Sequence, residues 1–357
     1  MSNNLRLYHT VLRGLRQWLP DERITRVRNL ALLMTGLYMS GAVQLPLIVR
    51  KWPVDGKLPS LVNRLSRFLN NERLSVQHCY QPIARRLLLL FAGRTIHLLI
   101  DCTKVGFNHQ LMVVAIAYRK RSLPLAWSVH PGAKGTVAVT EQIALLGQVE
   151  SLLPAEGDIW LMGDSGFQFV PLLRWLQHRG WHYVIRQSGN NMVSWPGQQW
   201  TRLTDLGLIE GESRIVGWAK LTGKNKYGWV WLILHWKQGE DEPWYLVSDC
   251  RGDRAHIKRY EKRMWIEEMF GDMKGHGFNM EATHLRDSER IMRLLLGVCL
   301  VYVWFIALGS WLVKRGYRNL VDRKDRRDKS YFRLGWDWME RCYHLNQSYV
   351  FRTVPYL

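Results

Sequence analysis

Three acidic residues and one helical stripe hold the side chains that could do chemistry in this chain of 357 residues. Asp101 closes the apolar run Ile96 to Asp101, Asp164 comes just after the run Asp158 to Met162, and Glu267 lies inside a helical stretch. An ionised carboxylate at the edge of an apolar core is costly unless it is paired or bound to a metal. Singly, each acid has an ordinary structural reading: strand-end acids accept backbone N–H bonds in turns, and helix glutamates face water. Together, two acids at neighbouring strand ends and a third on a later helix can meet at one point. An all-oxygen group of that kind suits a hard cation such as Mg²⁺.

The segment around Glu267 is the most specific. Tyr260, Arg263, Glu267 and Lys274 stand at offsets of 0, 3, 7 and 14. On one continuous helix these fall within a wedge of roughly 60°. Arg263 offers a planar fork and Lys274 a point charge, both suited to phosphate, and the Tyr260 phenol can stack or donate. A plain Arg263–Glu267 surface pair, worth a few tenths of a kcal/mol, accounts for two of the four residues but not for the stripe.

The elements that must position these residues follow from periodicity. Helical patterns cover Leu5 to Leu19, Asp21 to Ser40, Ser60 to Asn70 with Ser60 as N-cap, and Ser75 to Ala92. The third carries Asn63, Arg64 and Arg67 off its apolar face, so Arg64 and Arg67 are candidate DNA contacts, against the plainer reading of a solvated face. From residue 96 the period shortens. Ile96 to Asp101, Leu111 to Tyr118 and Leu123 to Val129 read as a meander with short links containing Gly or Pro. A helix at Thr136 to Leu153, a strand at Asp158 to Met162, a helix at Phe167 to His178 and a strand at Trp181 to Arg186 complete a βββαβαβ order. Between about Ser188 and Trp244 the texture is β-rich, with strands expected at Trp200 to Leu203, Ser213 to Leu221 and Gly228 to Trp236. Seven of the 18 tryptophans lie there. Asp253 caps a helix running to Lys274, stopped by Gly275-His276-Gly277, and Asp287 caps an apolar helix.

Composition bounds the function. With 50 Lys and Arg against 30 Asp and Glu the net charge is +20, while 47% hydrophobic residues exclude a disordered polycation. The first hundred residues hold 15 bases against 4 acids, and the stretch Lys314 to Arg333 is basic again. The simplest partner is a polyanion, nucleic acid before an anionic membrane face. Five widely spaced cysteines without a CxxC suggest neither a disulfide framework nor a zinc ribbon and fit a reducing cytoplasm. Leu30 to Val49 and Leu294 to Val313 are each uncharged and long enough to span a bilayer. Bases flank both on both sides, so no orientation is specified, and core helices are the expectation.

The spacing Tyr260-x2-Arg263-x3-Glu267-x6-Lys274 meets in full the YREK signature, and the chain resembles the bacterial insertion-sequence DDE transposases of the IS-four family that carry it. The contexts Leu99-Ile100-Asp101-Cys102 and Met162-Gly163-Asp164-Ser165-Gly166 fit that family's first and second acids, and the likeness spans about residues 60 to 335. Many relatives have Trp where Met264 stands; here Trp265 comes next. The resemblance implies an α/β fold: an RNase H-like core, a mixed five-strand sheet with helices, interrupted by a β-rich insertion and preceded by a helical DNA-binding region. The expected divisions are 1–94 for DNA-end binding, 95–188 and 245–313 for the core, 189–244 for the insertion and 314–357 for a basic C-terminal region. It implies that Asp101, Asp164 and Glu267 bind two Mg²⁺ or Mn²⁺ ions, and that Tyr260, Arg263 and Lys274 contact phosphates beside the cut. The implied activity is cut-and-paste transposition, with recognition of terminal inverted repeats, nicking, and transfer of the 3′-OH into target double-stranded DNA. A homodimer in a synaptic complex and a nucleoid-associated, cytoplasmic location go with it. Members commonly cut through a hairpin, for which a Trp of the insertion would serve as base platform. The rivals are a metal-dependent nuclease or resolvase without strand transfer, a catalytically silent regulator, and a membrane protein.

Overall fold

Five helices precede the first strand in the computed structural model, which describes residues 2–132, 135–155, 157–223 and 227–357. They are α1 (Asn3–Trp18), α2 (Ile24–Ser40), α3 (Leu45–Val49), α4 (Leu58–Leu69) and α5 (Val76–Leu89). The uncharged stretch Leu30 to Val49 is not one helix. Gly41, at φ +58°, ends α2, and α3 begins afresh with Pro46 in its first turn. Helix α4 starts upstream of the expected Ser60 cap. Lys57 is the cap position and Pro59 occupies the first turn, where its missing N–H costs nothing. Ser75 does cap α5, accepting the His78 N–H at 3.1 Å.

The strands and helices that follow are β1 (Ile96–Val105), β2 (His109–Tyr118), β3 (Arg121–Pro131), α6 (Val139–Glu150), β4 (Ile159–Gly163), α7 (Val170–His178) and β5 (His182–Gln187). Next come β6 (Met192–Ser194), β7 (Thr201–Arg202), β8 (Ser213–Leu221), β9 (Gly228–His235) and β10 (Trp244–Ser248). The order in the sheet is β3-β2-β1-β4-β5-β10-β9-β8-β6-β7. β1, β4 and β5 run parallel, and the meander β1-β2-β3 is antiparallel. The β-rich stretch extends the expected five strands β1 to β5 at the β5 side. β10 pairs antiparallel with β5 and carries β9, β8, β6 and β7 behind it, so one sheet of ten strands results. Residues 224–226 of that stretch lie outside the described residues.

Two details of the meander differ from expectation. The link between β2 and β3 is Arg119-Lys120, with neither Gly nor Pro, and both residues take positive φ (46° and 62°). Pro124 lies inside β3 instead, on the sheet edge opposite a bulge at Val114/Ala115, where no ladder N–H is needed.

The remaining helices are α8 (Arg254–Glu261), α9 (Met264–Met273), α10 (Ser288–Lys314) and α11 (Tyr331–His344). Asp287 caps α10, accepting the Arg290 N–H at 2.8 Å. This helix of 27 residues is long and apolar enough to cross a membrane, yet nearly all of it is buried within the protein. It packs on α2, α11 and β3. A Cβ at Gly309 would stand 2.0 Å from the Tyr331 carbonyl oxygen, and one at Gly335 would stand 2.1 Å from that of Phe305. The crossing of α10 and α11 thus depends on bare backbone at both positions. Arg293 is buried on α10, donating to the carbonyls of Leu69 (3.0 Å) and Leu74 (3.4 Å) and pairing with Glu289. Much of the basic stretch before and along α11 is internally paired: Arg318 with Asp322, Arg326 with Asp328, and Lys329 and Arg333 with Asp337.

Candidate active site

Asp101 sits where two pairings of β1 part company. The parallel partner β4 ends opposite it, at Ile100 and Gly163, while the antiparallel partner β2 continues to Val105. Asp101 is therefore mid-strand toward β2 rather than the last residue of a strand, and it is buried. Asp164 leaves β4 at the same level. Its Oδ1 accepts the Gly166 N–H at 2.8 Å and caps a short 3-10 turn. Gly163 makes the turn possible, since a Cβ there would crowd Ile100, Phe167 and Ile185 at 3.1 to 3.2 Å.

The expected single helix from Asp253 to Lys274 is broken. Asp253 caps α8 through the Ala255 N–H at 2.7 Å, but α8 stops at Glu261 and α9 begins at Met264. Lys262 and Arg263 at the junction keep helical dihedrals, and i→i+3 bonds tighten it, Arg263 N–H donating to Tyr260 O at 2.8 Å and Ile266 N–H to Arg263 O at 3.0 Å. Glu267 now stands in the first turn of α9, where the helix dipole favours a carboxylate. Tyr260 remains on α8, buried, its ring 4.9 Å from that of Trp244 and its hydroxyl without a partner. Lys274 ends α9 and pairs with Glu281 at 2.7 Å.

Asp101, Asp164, Arg263, Glu267 and Lys274 line one open cleft of about 350 Å³, with Cys102, Thr103, Phe270 and Gly271. Arg263 is its centre. Nη1 donates to Asp101 Oδ2 at 2.9 Å and Nη2 to Glu267 Oε1 at 2.6 Å, with the guanidinium 5.9 Å from the centre of the Tyr260 ring. Asp101 Oδ1 accepts the Cys102 N–H at 2.7 Å. Burial pushes the Asp101 carboxyl up to about 7; Arg263 opposes this, and Asp164 and Glu267 add to it. Burial also raises the Cys102 thiol to about 12, with the Asp101 and Asp164 charges reinforcing it. Arg263 stays charged: burial works against the cation, but Tyr260, Asp101 and Glu267 outweigh it.

The three acids fit divalent metal ions on two grounds. Their donors are all hard oxygens, and the cluster already holds one cation between two of its members, the Arg263 guanidinium. Behind the cleft, Arg121 on β3 ties α9 to the sheet through Glu268 (2.8 Å) and Asp272 (2.7 Å). Sequence reasoning missed this anchor, although the i,i+4 spacing of Glu268 and Asp272 on the face away from Glu267 was a usable signal. Arg64 and Arg67 are not part of the cleft. Arg64 donates to Asn29 at 3.0 Å and lies over the Trp52 ring, while Arg67 is exposed.

Three carboxylates and an arginine thus line one cleft beside the parallel strands of a mixed sheet. Residues 96–304 match the transposase DDE domain, well over half of the chain, and the chain belongs to that family. It is thus a transposase-type protein of DNA transposition and recombination, in a family whose domains generally use divalent metal ions. No curated protein matches it. Among solved structures it is similar to the piggyBac transposase synaptic complex with hairpin DNA, at 11% identity and a TM-score of 0.47, over 96% of this chain and 79% of that one.

Proposed function

We propose that this protein is the transposase of an insertion sequence, of the IS-four type with a YREK signature, acting by cut-and-paste. The convergence of Asp101, Asp164 and Glu267 in one cleft around Arg263 carries this reading. The strands β3-β2-β1-β4-β5 are read as an RNase H-like core (95–188 and 245–313), with 189–244 as its insertion. Residues 1–94 supply end recognition and 314–357 further phosphate or dimer contacts.

Asp101, Asp164 and Glu267 would hold two Mg²⁺ or Mn²⁺ ions, which supply charge stabilisation and acidify a water or a 3′-OH. Arg263 has two roles. Without DNA it neutralises Asp101 and Glu267. With a scissile phosphate in the cleft, its fork turns from carboxylate to phosphate and holds the strand in line. Lys274 adds a point charge at the far end of α9, and Tyr260 supports the Arg263 stem from behind. The substrates are terminal inverted repeats and target double-stranded DNA, brought together by a homodimer on the nucleoid in the cytoplasm. Trp200, Trp218 and Trp229 are the exposed aromatics of the insertion and the candidates for stacking on a displaced base.

The test is cleavage of end-containing DNA with Mg²⁺. Asp101→Ala, Asp164→Ala and Glu267→Ala should each abolish cutting, and intact cutting in all three refutes the assignment. Strand-transfer products separate a transposase from a nuclease or resolvase on the same core.

A further inference from the structure

A second cluster of metal-ligating side chains lies at the opposite end of the same strands. His182 opens β5, in register with Trp160 on β4. Asp249 and Cys250 follow β10, whose antiparallel register with β5 brings Val247 opposite Ile185, so two and three residues on they reach Tyr183 and His182. His256 comes from the first turn of α8 and is buried. Asp249 accepts the Tyr183 N–H at 3.1 Å and meets His182 Nδ1 at 2.6 Å. Ligand atoms of His182, Asp249 and Cys250 all lie within 4.8 Å of one another. Cys250 Sγ stands 3.7 Å from His256 Nε2.

We propose that His182, Asp249 and Cys250 form a Zn²⁺ site distinct from the acidic cleft, with three protein ligands and His256 beside the thiolate. The donor set of imidazole, thiolate and carboxylate selects a borderline-soft ion, whereas an all-carboxylate set suits a hard one. Trp160 packs both rings, with centroids 4.8 Å from His182 and 5.2 Å from His256. The backbone wraps closely over His256: a Cβ at Gly252 would fall 2.4 Å from its Nδ1. Such packing fixes ring orientation before any ion arrives. His182 and Asp249 keep 38% and 20% of their side-chain surface, so an ion has a way in. On binding, the His182–Asp249 hydrogen bond gives way to two metal bonds. The ion would then clamp the connection between β10 and α8, the segment that leads into Arg263 and Glu267.

The experiment is titration of the full-length protein with Co²⁺ as a spectroscopic stand-in, then displacement by Zn²⁺, with metal content measured after dialysis. One ion per chain is expected, with the intense visible bands of four-coordinate cobalt and a thiolate charge-transfer band. Both should persist in Glu267→Ala and Cys102→Ser. Cys250→Ser should lose the charge-transfer band, and His182→Ala should weaken Zn²⁺ binding by ~10-fold or more. No charge-transfer band in the wild type, its survival in Cys250→Ser, or its loss in Cys102→Ser overturns the proposal. Circular dichroism of each variant separates lost binding from lost fold. None of these readouts depends on DNA cleavage, so the site and the transposase reading fail independently.

Discussion

Replacing Asp101 by Asn should make the metal-free protein progressively more stable than the wild type as pH rises from 5 to 8. The carboxyl has only 9% of its side-chain surface exposed, and burial lifts it from 3.8 to about 7, against the pull of Arg263. A raised folded-state value means that the folded protein binds this proton more tightly than the unfolded chain does. The stabilisation is complete below pH 3.8 and is lost as pH climbs through about 7. Each unit of difference is worth about 1.4 kcal/mol, so the wild type loses roughly 1–3 kcal/mol through this group between pH 5 and 8. Asparagine does not titrate, and any pH-independent effect of the exchange, such as a lost partner for Arg263, cancels between the two pH values. Urea unfolding of both proteins in chelator, at intervals from pH 5 to 8, measures the difference. If it stays constant to within ~0.5 kcal/mol, or if the wild type gains on the variant, the account of a destabilised carboxylate awaiting a cation is wrong.

Three other outcomes follow from the packing. Gly335→Ala should destabilise by about 1–3 kcal/mol, because the new methyl meets the Phe305 carbonyl at 2.1 Å with only backbone to move; thermal unfolding reads it. Arg293→Met should cost about 2–4 kcal/mol in urea unfolding, since it strips the carbonyls of Leu69 and Leu74 of their buried donor. The double replacement Arg119→Asn with Lys120→Gly should stabilise by about 1 kcal/mol, because the two-residue turn now forces two ordinary residues to positive φ; a raised thermal midpoint checks it.

How far these features could be read from sequence depends on whether the cause was local. The meander was readable because β1, β2 and β3 are successive apolar runs joined by short links. The caps at Asp253 and Asp287 were readable because a short polar side chain before an apolar run has few other uses; the same reasoning failed at Ser60, which lies inside α4. The interruption at Lys262 and Arg263 left no sign: no Gly or Pro stands there and both residues keep helical dihedrals, so the stripe was drawn on one continuous helix. The continuation of β1 past Asp101 was hidden because the strand ends at different places for its two partners. The return of the chain to the core at residue 245 was legible, but the choice of β5 as the partner of β10 was not, since pairing between distant strands imposes no periodicity on either. The acids stood out as a group through the spacing around Glu267, but the bridge from Arg263 to Asp101 joins elements 162 positions apart, which no local spacing encodes.

The seam between β5 and β10 bears on when the cleft comes into being. Strands β1 to β5 are contiguous in the chain, as are β6 to β10, and each set is a unit of short-range pairing joined to the other at one line. Arg263 reaches Asp101 across 162 positions. During synthesis from the N-terminus, the basic helices and the first two acids emerge well before the third acid and its arginine. A ribosome-bound chain can therefore present its basic helices while still lacking the group that completes the cleft. Its last acid and the arginine that neutralises it come out together, four residues apart, so the finished carboxylate trio emerges together with its own counter-ion.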